Sequence, residues 1–205
     1  IAMQDLDIRG AGNLLGAEQS GFITDMGFET YQKILAEAME ELGFETGISS
    51  RSSGDNFVSD CTIETDQLAL IPDSYIDMTA EKIRIYKELD SLTSEKDLIN
   101  MKNRLTDRFG KMPVELERLF DIVRIRQLGQ KLGFEKIIIK NGVMIAFFIT
   151  NPLSQYYRSD RFSKVLENVN LNPKLFEIKQ PDGRLRIMVR NVDGISKAYD
   201  ILKKL

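Results

Sequence analysis

Apolar positions return at helical spacing from Phe28 to Leu42, where Phe28, Tyr31, Leu35, Ala38, Met39 and Leu42 share a stripe and Glu37, Glu40 and Glu41 face away. Gly43 follows as a stop, so this stretch predicts an amphipathic helix packed on whatever carries the residues before it. From Glu45 to Asp60 the chain turns polar and rich in Ser and Gly, the composition of a linker between two packed units. Between Asp60 and Ile71 the apolar Cys61, Ile63, Leu68 and Leu70 alternate with polar neighbours, which predicts short strands that end at Pro72.

Three helices are expected next. Thr79 caps Ala80 to Leu92, with Ile85, Leu89 and Leu92 on the buried stripe; Ser94 and Asp97 form a weakened capping box before Glu95 to Phe109; and Pro113 opens Val114 to Leu132, which Gly133 closes. From Lys136 the period switches to two, IIIK and VMIAFFI on either side of Asn141-Gly142, a strong signal for a hairpin with a type I′ turn. A helix from Ser159 to Asn168 follows, then LFEIKQ, a Pro181-Asp182-Gly183 turn, RLRIMV and a last helix from Asp193 to Leu205. The pattern predicts an α+β fold, with residues 1–45 forming one unit, 46–59 a linker, and 60–205 a small domain whose helices cover one face of antiparallel hairpins.

Composition narrows the chemistry. A chain of 205 residues, 42% hydrophobic and 29% charged, has the make-up of a folded globular protein. Its net charge of −3 gives no overall electrostatic signature for nucleic acid, so any such contact must be local. With no histidine and one cysteine, a disulfide framework, a Cys/His zinc site and a His-based triad are all excluded. Cys61 reads as a buried strand residue in a reducing compartment, and no apolar run reaches the length of a membrane span, so a cytoplasmic protein is expected.

The chemical interest lies in DLDIRGAGNLLGAEQSG, Asp5 to Gly21. Gly10 and Gly12 around Ala11 describe a tight loop, with Arg9 on its rim offering a permanently charged, forked donor to a phosphate or carboxylate. Gln19, Ser20 and Gly21 form a second polar turn. A plain surface loop is one reading. A dinucleotide loop is another, but the spacing is G-x-G-x-x-x-G, one residue too long, and Asp5 and Asp7 interrupt the strand that should precede it. The phosphate-binding pattern G-x-x-x-x-G-K-[ST] does not occur; Gly110-Lys111 is followed by Met112. This chain alone is therefore not expected to hydrolyse ATP.

Residues 3 to 21, with RGAG, LLG and EQSG in that spacing, resemble the motif that follows the second motor lobe in the bacterial transcription-repair coupling factors (Mfd) and in the related branch-migration helicase. ALIPDSYI (Ala69 to Ile76), LTDRFGKMP (Leu105 to Pro113) and LGFEKI (Leu132 to Ile137) favour the coupling factors. The resemblance implies that residues 1–45 end a motor lobe whose motif couples ATP hydrolysis to movement on double-stranded DNA, with Arg9, Gly10, Gly12 and Gln19 at the coupling positions. It implies a parent protein that uses ATP and Mg, displaces stalled RNA polymerase and recruits nucleotide excision repair, with no cofactor on this chain itself. Residues 60–205 would be the regulatory domain that packs against the N-terminal module binding the damage sensor UvrA, with Asp107 and Arg108 near that contact; Arg104 departs from the family pattern there. A chain starting with Ile inside such a motif is expected to be a piece of a longer protein.

Elsewhere the candidates are weak. Arg118, Arg124, Arg126 and Lys131 could make a basic patch, but Glu115, Glu117 and Asp121 interleave with them. Tyr156, Tyr157, Arg158 and Arg161 could touch nucleic acid, though tyrosines packed on a sheet are the simpler expectation. The rival to the motor reading is a stand-alone interaction or nucleic-acid-binding module with no motor attached.

Overall fold

The computed structural model describes residues 57–205; the glycine-rich motif with Arg9, Gly10, Gly12 and Gln19, the expected helix from Phe28 to Leu42 and residues 46–56 lie outside the described residues. At the start of the described residues the Phe57 ring meets Tyr156 edge-on at 5.5 Å, and Val58 is buried. In chain order the elements are β1 (Thr62–Thr65), α1 (Thr79–Ser91), α2 (Glu95–Phe109), α3 (Val114–Leu132), β2 (Phe134–Lys140), β3 (Val143–Phe148), α4 (Asp160–Leu171), β4 (Glu177–Lys179), β5 (Arg186–Arg190) and α5 (Gly194–Leu202).

The helices obey the expected punctuation. Ser94 accepts the Asp97 N–H at 3.2 Å at the head of α2, Pro113 precedes α3, and Gly133 ends it in the left-handed region at φ +84°. Several ends differ from expectation by one to three residues, α4 running Asp160–Leu171 where Ser159 to Asn168 is expected. Met78 rather than Thr79 is the N-cap of α1, so Thr79 lies inside the helix, and α5 stops at Leu202 because the last residues turn back on Tyr199, Ile201 and Leu202 carbonyls. Asn141 and Gly142 both have positive φ, as the type I′ turn between β2 and β3 requires.

The five strands form one sheet in the order β1-β2-β3-β5-β4. The pairs β2–β3, β3–β5 and β4–β5 are antiparallel, so the two hairpins join side by side through β3 and β5. The sheet is completed by a strand outside the hairpins: β1 runs parallel to β2, because the chain spends α1, α2 and α3 on the crossover between them, and a crossover of that length returns the strand in the same direction. Leu68 and Leu70 add no second strand. Thr65 Oγ1 accepts the Gln67 N–H at 3.1 Å and turns the chain away, leaving Leu68 exposed.

One face of the sheet is the core. Phe134, Ile137, Ile139, Met144, Ala146, Phe148, Ile187 and Val189 are buried, with α3 and α5 lying against each other and on β2. The approach of α3 to the strands is set by Gly129, where an added Cβ would stand 2.6 Å from Cys61 Sγ and 3.1 Å from Ile137 Cδ1. Cys61 is buried as expected, although it sits one residue ahead of β1. Burial pushes its thiol up to about 12, so little thiolate forms near neutrality. A thiol reagent at pH 8 should therefore leave the folded protein unmodified and label it fully in denaturant, read by mass spectrometry; stoichiometric labelling of the folded chain would contradict this packing.

Candidate interaction site

LTDRFG occupies the last turn of α2. Leu105 points inward, Phe109 packs its ring against Tyr75 at 5.8 Å between centroids, and Asp107 and Arg108 are left on the surface. Helical spacing places Leu105 and Phe109, four apart, on one face and Asp107 on the opposite one, while Arg108, three from Leu105, lies at the edge of the buried stripe, where it can reach α1. Arg108 reaches Glu81 of α1 at 2.6 Å and lies over the Phe109 ring at 4.8 Å. Glu81 also accepts Arg84 at 2.9 Å, and Arg104 pairs with Glu88, about two turns along α1 from Glu81. Asp107 has no hydrogen-bond or ion-pair partner among the described residues.

A strap formed by IPDSYI holds this pair of helices as one surface. Ile71 and Ile76 are buried, and the Tyr75 hydroxyl donates to the Leu105 and Gly110 carbonyls, 3.0 and 3.1 Å away, which fastens the end of α2. The Ile71 N–H donates to the buried Tyr86 hydroxyl at 3.0 Å, and Asp73 pairs with Lys82, the one buried charged residue among those described. Burial raises both Tyr75 and Tyr86 above the ordinary phenol range. Sequence reasoning did not single out Tyr75, Tyr86 or Lys82. The available signal was that Lys82 shares the helical stripe of Ile85, Tyr86 and Leu89, a place where a charge must find a partner.

The arrangement suits exchangeable polar contact rather than catalysis. Exposed ion pairs such as Arg104–Glu88 are each worth about 0–1 kcal/mol, and Arg108, itself 56% exposed, can meet an incoming carboxylate beside Glu81, while Asp107 is ready for a cation. Among the described residues no group of three or more His, Cys, Asp or Glu could hold a metal ion, and no helix is long and apolar enough to cross a membrane.

The other candidates resolve into structure. Arg124 forks onto Glu95, with the closest oxygen at 2.7 Å, and pairs with Asp121; Arg126 binds Asp60 at 2.6 Å and Asp90; Arg118 reaches the Leu68 carbonyl at 3.4 Å. These guanidinium groups are turned into the protein's own acceptors, which leaves no basic stripe along α3. Tyr156 is fully buried and donates to the Leu132 carbonyl, and Tyr157 donates to the Ile149 carbonyl at 2.5 Å, so the tyrosines pack as expected.

Comparison with known proteins bears on what this face serves. Residues 65–159 match the TRCF domain family model. Transcription-repair-coupling factors are 42% identical in Staphylococcus haemolyticus over 95% of this chain, 38% in Staphylococcus epidermidis over 93%, and 34% in Rickettsia typhi over 98%. The chain spans only 15–17% of the length of these relatives. The crystal structure of the C-terminal domain of transcription-repair coupling factor superposes with a TM-score of 0.58 at 17% identity, covering 71% of this chain and 88% of that one, which establishes a shared α+β fold.

Proposed function

The chain belongs to the transcription-repair coupling factor family, and from that premise we propose that it is the C-terminal part of an ATP-dependent double-stranded-DNA translocase that displaces stalled RNA polymerase and recruits nucleotide excision repair. The observation that carries the reading is the extent of the alignment. At 98% of the chain it takes in the glycine-rich motif at the start as well as the TRCF domain, which supports reading both as parts of a coupling factor.

Two jobs follow for this chain. Arg9, Gly10, Gly12 and Gln19 form the coupling loop: Arg9 senses closure of the motor through a charge-assisted hydrogen bond, and Gln19 relays it to the duplex. The domain from residue 60 onward carries the autoinhibitory contact, in which Asp107 and Arg108 on the α1–α2 face meet the parent's N-terminal module and keep the damage sensor UvrA from its site until RNA polymerase is engaged. Weak, exchangeable ion pairs fit that task, because an autoinhibitory contact has to release when a partner competes for it. The sequence has no G-x-x-x-x-G-K-[ST] phosphate-binding loop, and in this reading the ATP and Mg of the parent are held by its other parts.

The coupling assignment is tested in the full-length parent. Arg9→Ala and Gln19→Ala should keep ATP turnover within about threefold of wild type while triplex-strand displacement falls about tenfold or more, since a lost coupling contact lets the motor cycle without advancing. A proportional fall in both activities would move Arg9 or Gln19 into the catalytic machinery and overturn the division of labour.

A further inference from the structure

The face of the sheet turned away from the helices carries a second, unassigned surface. Along β3 it shows Val143, Ile145 and Phe147, and at the level of Ile145 the register places Ile138 of β2 on one side and Met188 of β5 on the other. These five side chains are half-buried and stand outside the core cluster. They make an apolar cross centred on Ile145, about 13 Å along the strand and about 10 Å across.

Every corner of that cross is a cation. Lys136 and Arg186 flank Phe147, and Lys140 and Arg190 flank Val143. Two carboxylates lie beyond them on the outer strands. Glu64 of β1 holds Lys136 and Lys140 at 2.5 and 3.0 Å, and Glu177 of β4 holds Arg190 and Lys179 at 3.1 and 2.9 Å. Both carboxyls are held below the ordinary range, first by the hydrogen bonds from Lys136 and Lys179 respectively. Arg186 alone among the corners has no carboxylate. Its guanidinium lies 5.9 Å from the Phe147 centroid, and its Nε is buried with no hydrogen-bond partner. On this face Lys136, Lys140, Lys179, Arg186 and Arg190 stand against Glu64 and Glu177, in a chain whose overall charge is −3.

We propose that this sheet face docks an acidic amphipathic helix of a protein partner, its apolar side chains on the Ile145 cross and a flanking carboxylate on Arg186. An apolar centre inside a charged rim is the anatomy of a protein interface, and a cationic rim selects a partner whose flanks are acidic. Nucleic acid fits less well, because successive bases need several aromatic platforms and this face has Phe147 among aliphatic neighbours. A helix is the element that covers an open sheet face in layered domains, and about two turns of it span the cross.

Methyl NMR of the whole chain reads the face directly. The probe is a synthetic helix of about 18 residues with leucines on one face and glutamates beside them, roughly 27 Å long. It should shift the methyl signals of Ile138, Ile145 and Met188 and leave those of Ile137 and Ile187 unmoved. The same peptide with lysines for glutamates should bind about tenfold more weakly or worse, and the double variant Lys136→Glu with Arg186→Glu should lose about tenfold in affinity for the acidic peptide, its unchanged core methyl signals showing that it is folded. Equal binding of both peptides, no shift at millimolar peptide, or shifts of these methyls by a 20-base-pair duplex but not by the acidic peptide would each overturn the proposal.

Discussion

Gly133→Ala should destabilise the domain by about 3–5 kcal/mol, far more than alanine at another glycine of similar backbone conformation. Two costs meet at this position. The residue sits at φ +84°, which a side chain tolerates at about 1–2 kcal/mol, and a Cβ built there overlaps the ring of Tyr156. That ring cannot simply swing away. It is fully buried among Phe57, Phe148, Tyr157 and Phe162, and its hydroxyl serves the Leu132 carbonyl, an end-of-helix acceptor without an intrahelical partner. Displacing it adds a lost hydrogen bond and a repacked aromatic cluster to the backbone strain. Gly142→Ala supplies the control: it has φ +73° with nothing within 4 Å of the added Cβ, so only the conformational cost of about 1–2 kcal/mol applies. Urea unfolding of the two variants separates the cases, and equal losses would show that the Tyr156 clash relaxes for free.

This same corner marks the reach of the sequence. That Gly133 ends α3 was legible, because a glycine after a helical stripe is a local signal; that it also makes room for Tyr156, more than twenty residues later, was not. The hairpin at Asn141-Gly142 and helices α2 and α3 were legible for the same local reason, each being written in its own period and caps. Strand β1 was legible as a short strand, but its place in the sheet was not, because its partner is chosen by the path of three intervening helices. Gly129 passed unremarked inside a helical pattern, since its purpose is the thiol of Cys61 on another element. The candidate site shows the same split. Asp107 lies opposite the stripe of Leu98, Met101, Leu105 and Phe109, so its exposure is a local matter, whereas the strap that steadies this face, Tyr75 on α2 and Asp73 on Lys82, depends on contacts across the fold. The cationic corners of the open sheet face emerge only once register sets β2, β3 and β5 side by side.

Arg126 carries the second large effect, because it ties three segments of the chain together through charge. Its side chain is 18% exposed, and it binds Asp60 just ahead of β1 and Asp90 near the end of α1. Burial is the largest influence on the guanidinium and pushes its pKa down, but the two aspartates more than reverse it, so the net shift is upward. Asp60 also accepts the Cys61 N–H at 2.7 Å, which makes it the latch for the chain's entry into the sheet. Arg126→Ala would remove the cation that the two carboxylates share, at a cost of about 2–4 kcal/mol; their exposure of 34% and 35% keeps this below the full penalty of an orphaned buried charge. Arg126→Lys should fall between, since an ammonium keeps the charge but loses the fork that reaches both aspartates. The decisive comparison adds Asp60→Asn and Asp90→Asn to Arg126→Ala. If stranded charge is the cause, the triple variant regains at least about half of the lost stability in urea melts, with the hydrogen-exchange protection of β1 recovering alongside it. A triple variant no more stable than Arg126→Ala would assign the loss to the packing of the arginine stem instead, and the latch at Asp60 would then be a matter of shape rather than charge.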